Sequence, residues 1–182
     1  MSMPFLLIAP VLAFAAKPGS LKDLDKHNGF RDLVLTQRCE DIPDFKGNKL
    51  VVKKAATLRT DKEPYAGMIH YRRPQDSLAV GEIELLDIGY SCYMDQLMSV
   101  RLLGWGERPA QQLLFTFTTA FGEAPEKDED IGYWRWDSKR VVLTLQHDRD
   151  TDDVTAVFVS KPMLEAKRDN DQLQRESSIT DL

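Results

Sequence analysis

Apolar residues recur at two different spacings in this chain, and the change from one to the other separates strands from a helix. Ile88–Met94 and Leu97–Gly104 both run extended, with only Asp95 and Gln96 between them. Two such runs with so short a joint predict an antiparallel hairpin. In the second run, alternation sends Met98, Val100 and Leu102 to one face and Leu97, Ser99 and Arg101 to the other. That is the pattern of a sheet with one covered face. Over Glu107–Phe121 the period lengthens. Ala110, Leu113, Leu114, Phe117 and Phe121 fall at three- and four-residue intervals, which is the stripe of an amphipathic helix. Gly122 supplies its stop. The threonines at 116, 118 and 119 lower intrinsic helix preference, so packing across the sheet must stabilise it.

Alternation returns with Tyr133-Trp134-Arg135-Trp136, where the two tryptophans share one side and Tyr133 and Arg135 the other. Asp137-Ser138 turns the chain into Arg140–His147, in which Val141, Leu143 and Leu145 alternate with Arg140, Val142, Thr144 and Gln146. Beyond Asp148–Asp153, the residues Val154, Ala156 and Phe158 share a face of another strand. Met163–Leu173 predicts a short amphipathic helix, and 175–182 a flexible tail. Nearer the start, Asn28-Gly29 turns the chain into a first strand, Phe30–Leu35, and Arg38–Asp44 forms one helical turn ended by Pro43. Lys49–Leu58 reads as extended and Glu123–Asp130 as an exposed loop. Strands, then a helix, then strands predict the α+β class: an antiparallel sheet of short strands with one main amphipathic helix packed on one face. The single domain spans 30–174, behind a polar lead-in over 16–29 that carries Leu21, Leu24 and His27.

Residues 1–15 stand apart. Pro4–Ala16 is apolar throughout, and Ala13-Phe14-Ala15 has the small-x-small form of a signal-peptidase site, predicting a signal peptide and a mature chain that starts at Ala16. The Lys or Arg that usually precedes such a run is missing. The competing reading is a hydrophobic first element of a cytosolic domain, against which Pro4 and Pro10 count. The run falls short of the roughly 20 apolar residues that span a bilayer, and no cysteine follows it to carry a lipid. The expected location is periplasmic or secreted, without stable membrane insertion. Cys39 and Cys92, the two cysteines of the chain, then admit two readings: a disulfide, or two separate buried thiols.

Composition narrows the functions further. A formal net charge of −5 gives no long-range attraction for nucleic acid, which is not expected as a partner. Lys46, Lys49, Lys53, Lys54 and Arg59 form a basic cluster that reads as a solvated strand face. Two groups of residues are candidates for binding. Tyr71, Arg72 and Arg73 place two guanidiniums where they can meet a ligand's carboxylate or phosphate, or pair with Asp76, Glu82 or Glu84 of the same chain. Trp134 and Trp136 offer rigid area to grip a partner, or close one edge of the core.

Catalysis has little local support. His27, His70 and His147 are isolated, without metal-ligand spacing. Ser91 and Ser99 lack the nucleophile elbow. Gly104-Trp105-Gly106 is too short for a phosphate loop. Asp148–Asp153 has neither the glycine nor the later glutamate of a calcium loop. No metal or cofactor is expected. The sequence predicts an exported domain that binds an envelope protein or small ligand; the alternative is a small hydrolase whose histidine-containing site assembles in space.

Asn28-Gly29-Phe30-Arg31-Asp32, Tyr71-Arg72-Arg73-Pro74-Gln75-Asp76-Ser77-Leu78, the Ile88–Met94/Leu97–Leu103 pair, Phe121-Gly122 and Trp134-Arg135-Trp136 together resemble a pattern of small uncharacterised exported bacterial proteins. The resemblance covers about residues 21–160. Such proteins are similar in turn to envelope domains of the outer-membrane-assembly lipoprotein kind, in which helices pack on an antiparallel sheet. It implies a role in protein contact and carries over no catalytic residue. The chain lacks the lipidated cysteine of those domains, which leaves outer-membrane tethering unsupported.

Overall fold

The alternating segments pair edge to edge, as their period requires, into one large sheet. The computed structural model describes residues 19–45, 49–50 and 67–180; the apolar start, most of the basic cluster and the greater part of Lys49–Leu58 lie outside them. In chain order the elements are α1 (Leu21–His27), β1 (Gly29–Phe30), β2 (Leu33–Val34), a 3-10 turn (Cys39–Asp41), β3 (Lys49–Leu50), β4 (Met68–Tyr71), β5 (Ala79–Val80) and β6 (Ile83–Glu84). Then follow β7 (Asp87–Tyr93), β8 (Gln96–Trp105), α2 (Glu107–Phe121), β9 (Glu126–Asp128), β10 (Tyr133–Asp137), β11 (Val141–His147), β12 (Asp153–Ser160) and α3 (Lys161–Thr180). The main sheet is antiparallel, ordered β3-β4-β7-β8-β12-β11-β10-β9, while β1-β2 and β5-β6 form two small hairpins. The fold is α+β, with helices packed against an antiparallel sheet.

Cross-strand register sorts the side chains into rows. On the core face Tyr71, Tyr90, Val100, Phe158, Leu143 and Trp136 lie opposite one another across the strands from β4 to β10. The apolar stripe of α2 closes this face. Phe117 meets Trp136 and Phe158 edge-on at 5.8 and 5.7 Å, a favoured geometry for aromatic pairs. Gly122 ends α2 at φ 84°, and a Cβ there would stand 2.8 Å from the Gly19 carbonyl oxygen, so the close approach of the chain start demands glycine.

Several expectations need correction. Residues 19–27 are not a lead-in but part of the domain. Gly19 N–H donates to the Thr119 carbonyl at 3.1 Å, Leu24 is fully buried, and Asp25 accepts from Ser138 Oγ and the backbone N–H groups of Lys139 and Arg140. The first strand is a hairpin broken at Arg31 (φ 57°). The β7–β8 turn is Met94-Asp95, both at positive φ, rather than Asp95-Gln96. The register shifts at Ser91/Cys92, so Leu97 joins Val100 and Leu102 in the core while Met98 faces the other way. A bulge adds one residue and reverses the alternation on either side of it. The acidic loop contains the edge strand β9, whose side chains are all exposed. Helix α3 continues to Thr180, past the expected start of the flexible tail.

Cys39 and Cys92 form a disulfide, with Cα atoms 6.4 Å apart. It ties the 3-10 turn to β7. Among the described residues no helix is long and apolar enough to cross a membrane.

Candidate functional site

The five expected contact residues occupy two distant parts of the sheet, because β4 and β10 are separated by β7, β8, β12 and β11. Tyr71 is buried and stacks on Phe45 at 4.6 Å. Trp136 is 0% exposed and its indole N–H donates to the Gly122 carbonyl at 2.7 Å, so it belongs to the core and offers no surface to a partner. Trp134 is half-buried against the same core. Burial wins for the tryptophans because their face is the one α2 covers.

Both arginines answer to carboxylates of the chain itself. Arg72 grips Asp87 through two contacts of 2.8 Å. Arg73 makes a fork on Asp32 at 3.0 and 3.1 Å and lies 3.5 Å from Asp76. Arg31 approaches Asp76 at 3.6 Å and donates to the carbonyls of Ser77 and Ala79 at 2.7 and 2.8 Å. The Tyr90 hydroxyl also donates to Asp76; burial and that hydrogen bond push the phenol far above its ordinary value. The Arg73 hydrogen bonds hold the Asp32 carboxyl below its usual range, against the opposing effect of burial. Three separate motifs thus converge: Arg31-Asp32 from the first hairpin, Arg73 and Asp76 from the β4–β5 link, and Tyr90 from β7. A network of this kind locks the loops onto the sheet.

The other sheet face is different. Its central row is Gly89, Arg101, Val157, Thr144, Arg135 and Glu126, paired in turn from β7 to β9. The next row begins His70, Ser91, Ser99, Val159 and Val142. Helix α3 covers only part of this face. Met163 packs on Tyr93 and Met98, with Met68 and Val159 alongside, and Asn170 donates to the Tyr93 hydroxyl at 2.8 Å. Arg135 is neutralised by Asp137 at 2.6 Å and Glu126 at 3.6 Å. Arg101 is exposed, and its row neighbours Gly89 and Val157 carry no charge.

Beside it, His70 Nδ1 and Ser91 Oγ share a hydrogen bond of 2.9 Å. Burial, reinforced by the charge of Arg101, lowers the proton affinity of His70. His27 and His147 are elsewhere: the first lies 6.1 Å from the Phe121 ring, and the second is buried with Nε2 3.5 Å from Asp152. Among the described residues no group of three or more His, Cys, Asp or Glu is placed to hold a metal ion.

His70, Ser91 and Arg101 were not singled out together by sequence reasoning. The signal was present in part, since alternation already sends Arg101 and Ser99 away from the core, but the pairing of β4 with β7 was not legible. Compared with family models, with curated proteins and with solved structures, the chain matches none. The class defined by the fold is an α+β domain tied by one disulfide, in which α2 packs on one sheet face and, among the described residues, α3 covers part of the other.

Proposed function

We propose that this protein is an exported binding domain of the cell envelope, and that it meets its partner through the sheet face left open beside α3. The observation that carries the reading is the row Arg101, Val157 and Thr144, which runs across the middle of the sheet with an exposed cation and, among the described residues, lies outside the cluster that Met163 of α3 covers. A patch of small β-branched residues bordered by guanidiniums suits a protein or small-ligand surface. Arg72, at the same side of the sheet, borders it through its pair with Asp87. The Cys39–Cys92 bond supports the export half of the reading, because such bonds persist in oxidising compartments. The apolar run ending in Ala13-Phe14-Ala15 and the resemblance to exported envelope domains support it too.

Two measurements test this. Intact mass of the envelope fraction, before and after thiol alkylation, is expected to show a chain starting at Ala16 with no alkylatable thiol. A photo-crosslinking residue at Thr144 is expected to trap a discrete envelope adduct that the same residue at exposed Phe115, on the outer side of α2, does not trap. An uncleaved cytosolic chain removes the export reading, and adducts confined to Phe115 move the contact surface to the opposite side.

A second reading, a small hydrolase, is favoured by one observation: a neutral imidazole within hydrogen-bond reach of a serine hydroxyl is the nucleophile–base arrangement. Turnover of an activated ester that disappears in Ser91→Ala would support it. Turnover unchanged in that variant would remove it.

A further inference from the structure

We propose that Arg101, together with Ser91, Ser99 and His70, forms a subsite for a compact oxyanion, a carboxylate or phosphate group, within the open sheet face. The inference rests on the reading of that face as a contact surface and names the chemistry its centre recognises. Arg101 sits on β8, inside the sheet rather than at its edge. Among the described residues it makes no ion pair and no side-chain hydrogen bond. The carboxylate on this face of β7, Asp87, is already engaged at both oxygens by Arg72. The Arg101 guanidinium lies across β7, with Nη2 and Nε 3.8 and 3.9 Å from where a Gly89 Cβ would stand. It therefore lies over β7 on the face that carries His70 and Ser91, and its charge lowers the proton affinity of His70. An unpaired, planar guanidinium fork flanked by hydroxyl groups matches the geometry of an oxyanion.

The His70–Ser91 hydrogen bond supplies a second donor on demand. With His70 neutral and Nδ1 bare, the Ser91 hydroxyl donates to the ring and has no hydrogen to offer. When His70 takes a proton from solvent, Nδ1–H donates to Ser91 Oγ, and the serine O–H is released toward an anion held by Arg101. Anion binding and His70 protonation therefore favour each other. Among the described residues, the groups placed around His70 are its register partner Ser91 on β7, Arg101 on β8, and Arg72 two positions along its own chain, which is paired with Asp87. On α3, Lys167 and Asp171 pair with each other at 2.6 Å beside Tyr93. None of these adds an unpaired carboxylate that would repel the anion.

The test is NMR of the His70 ring in the full-length purified chain during titration with inorganic phosphate, and separately with acetate, at constant ionic strength in chloride. The expected result is a saturable shift of the His70 ring resonances and a His70 protonation midpoint that rises with bound anion. Arg101→Gln is expected to weaken binding by about tenfold or more, Arg101→Lys by less, and Arg108→Gln on α2 not at all. Saturation by phosphate alone assigns the site to a phosphate group, and saturation by both anions extends it to carboxylates. Shifts that grow linearly without saturating, or that persist unchanged in both Arg101 variants, overturn the proposal. Because only small anions are used as probes, this can fail while Thr144 still traps a partner, and the two readings stand or fall separately.

Discussion

Asp76 is the acceptor on which Arg31, Arg73 and Tyr90 all converge, and its side chain is only 8% exposed. Removing it leaves two guanidiniums facing each other and a buried phenol hydroxyl without an acceptor. Buried ionic groups that lose a partner are far more costly than the intact pair is stabilising. Asp76→Ala is expected to destabilise the domain by about 3 kcal/mol, read as a lower urea midpoint with an unchanged slope. Asp76→Asn, which keeps one carbonyl acceptor, should fall between it and wild type. If Asp76→Ala unfolds at the wild-type midpoint, Asp76 is dispensable and the β4–β5 link is held by the Arg73 fork on Asp32 and by Arg31's bonds to the Ser77 and Ala79 carbonyls. None of this was visible residue by residue. Pairing of Arg72 and Arg73 with Asp76, Glu82 or Glu84 was one of two readings of the sequence; Arg73 does lie 3.5 Å from Asp76, but its stronger fork goes to Asp32, forty-one residues away in the chain.

At the scale of elements, two attachments hold parts that their own propensity would not. The disulfide joins residues 53 positions apart, closing a loop that includes the link from the 3-10 turn to β7. On the chain-entropy account a loop of that length contributes about 4 kcal/mol. Paired Cys39→Ser/Cys92→Ser substitution is expected to lower stability by that order, measured by chemical denaturation without reductant. A loss well under about 1 kcal/mol would mean that the unfolded chain is already compact there.

Helix α3 is held chiefly through Met163, buried on Tyr93 and Met98. Met163→Ala is expected to cost about 2 kcal/mol and to raise amide exchange along α3 before exchange in β7 and β8. Uniform exchange changes throughout the sheet would show that α3 and the sheet open as one unit. The elements themselves were largely legible. Glu107–Phe121 is the helix its 3.6-residue period predicted, and β11 and β12 follow their alternation. The β8 faces were misread at Leu97 and Met98 because a bulge depends on how β7 pairs, and periodicity within one strand carries no record of it.

For the whole molecule, pH reports which charges the fold has organised. Hydrogen bonding from Lys161, opposed by burial and aided by Arg135, holds Asp137 below its ordinary 3.8, and Arg73 does the same for Asp32. A carboxyl with a depressed folded value stabilises the fold above about pH 4, and that stability is lost as pH falls through the depressed value, because the unfolded chain then binds more protons. His70 behaves with the same sign in a higher window. Its folded affinity for protons is lowered from 6.5, first by burial and then by Arg101, so the unfolded chain out-competes the native one for protons as pH falls below 6.5. Stability is expected to be flat above neutrality, to decline below pH 6.5, and to decline again in the carboxylate range. His70→Asn should flatten the upper limb alone, and Asp137→Asn should soften the lower one, both read from urea midpoints across pH.

What the sequence by itself determined is what the chain can read locally. The apolar period sets which segments are strands and which a helix, because each side chain's direction follows from its own backbone. Composition gave a formal net charge of −5, which supplies no long-range attraction for nucleic acid. Only the tertiary structure decided which polar residues meet. Strand order and register bring β4 beside β7 and β8 beside β12, so His70, Ser91 and Arg101 gather on one face while Arg31, Arg73, Asp76 and Tyr90 of the core row lock together. The same register hid Tyr71 and Trp136 in a row under α2 and joined Cys39 to Cys92. The physical reason is range. Backbone period acts over a few residues, whereas a salt bridge, a disulfide or a covered face depends on segments dozens of residues apart, and their placement is set by packing the whole core at once.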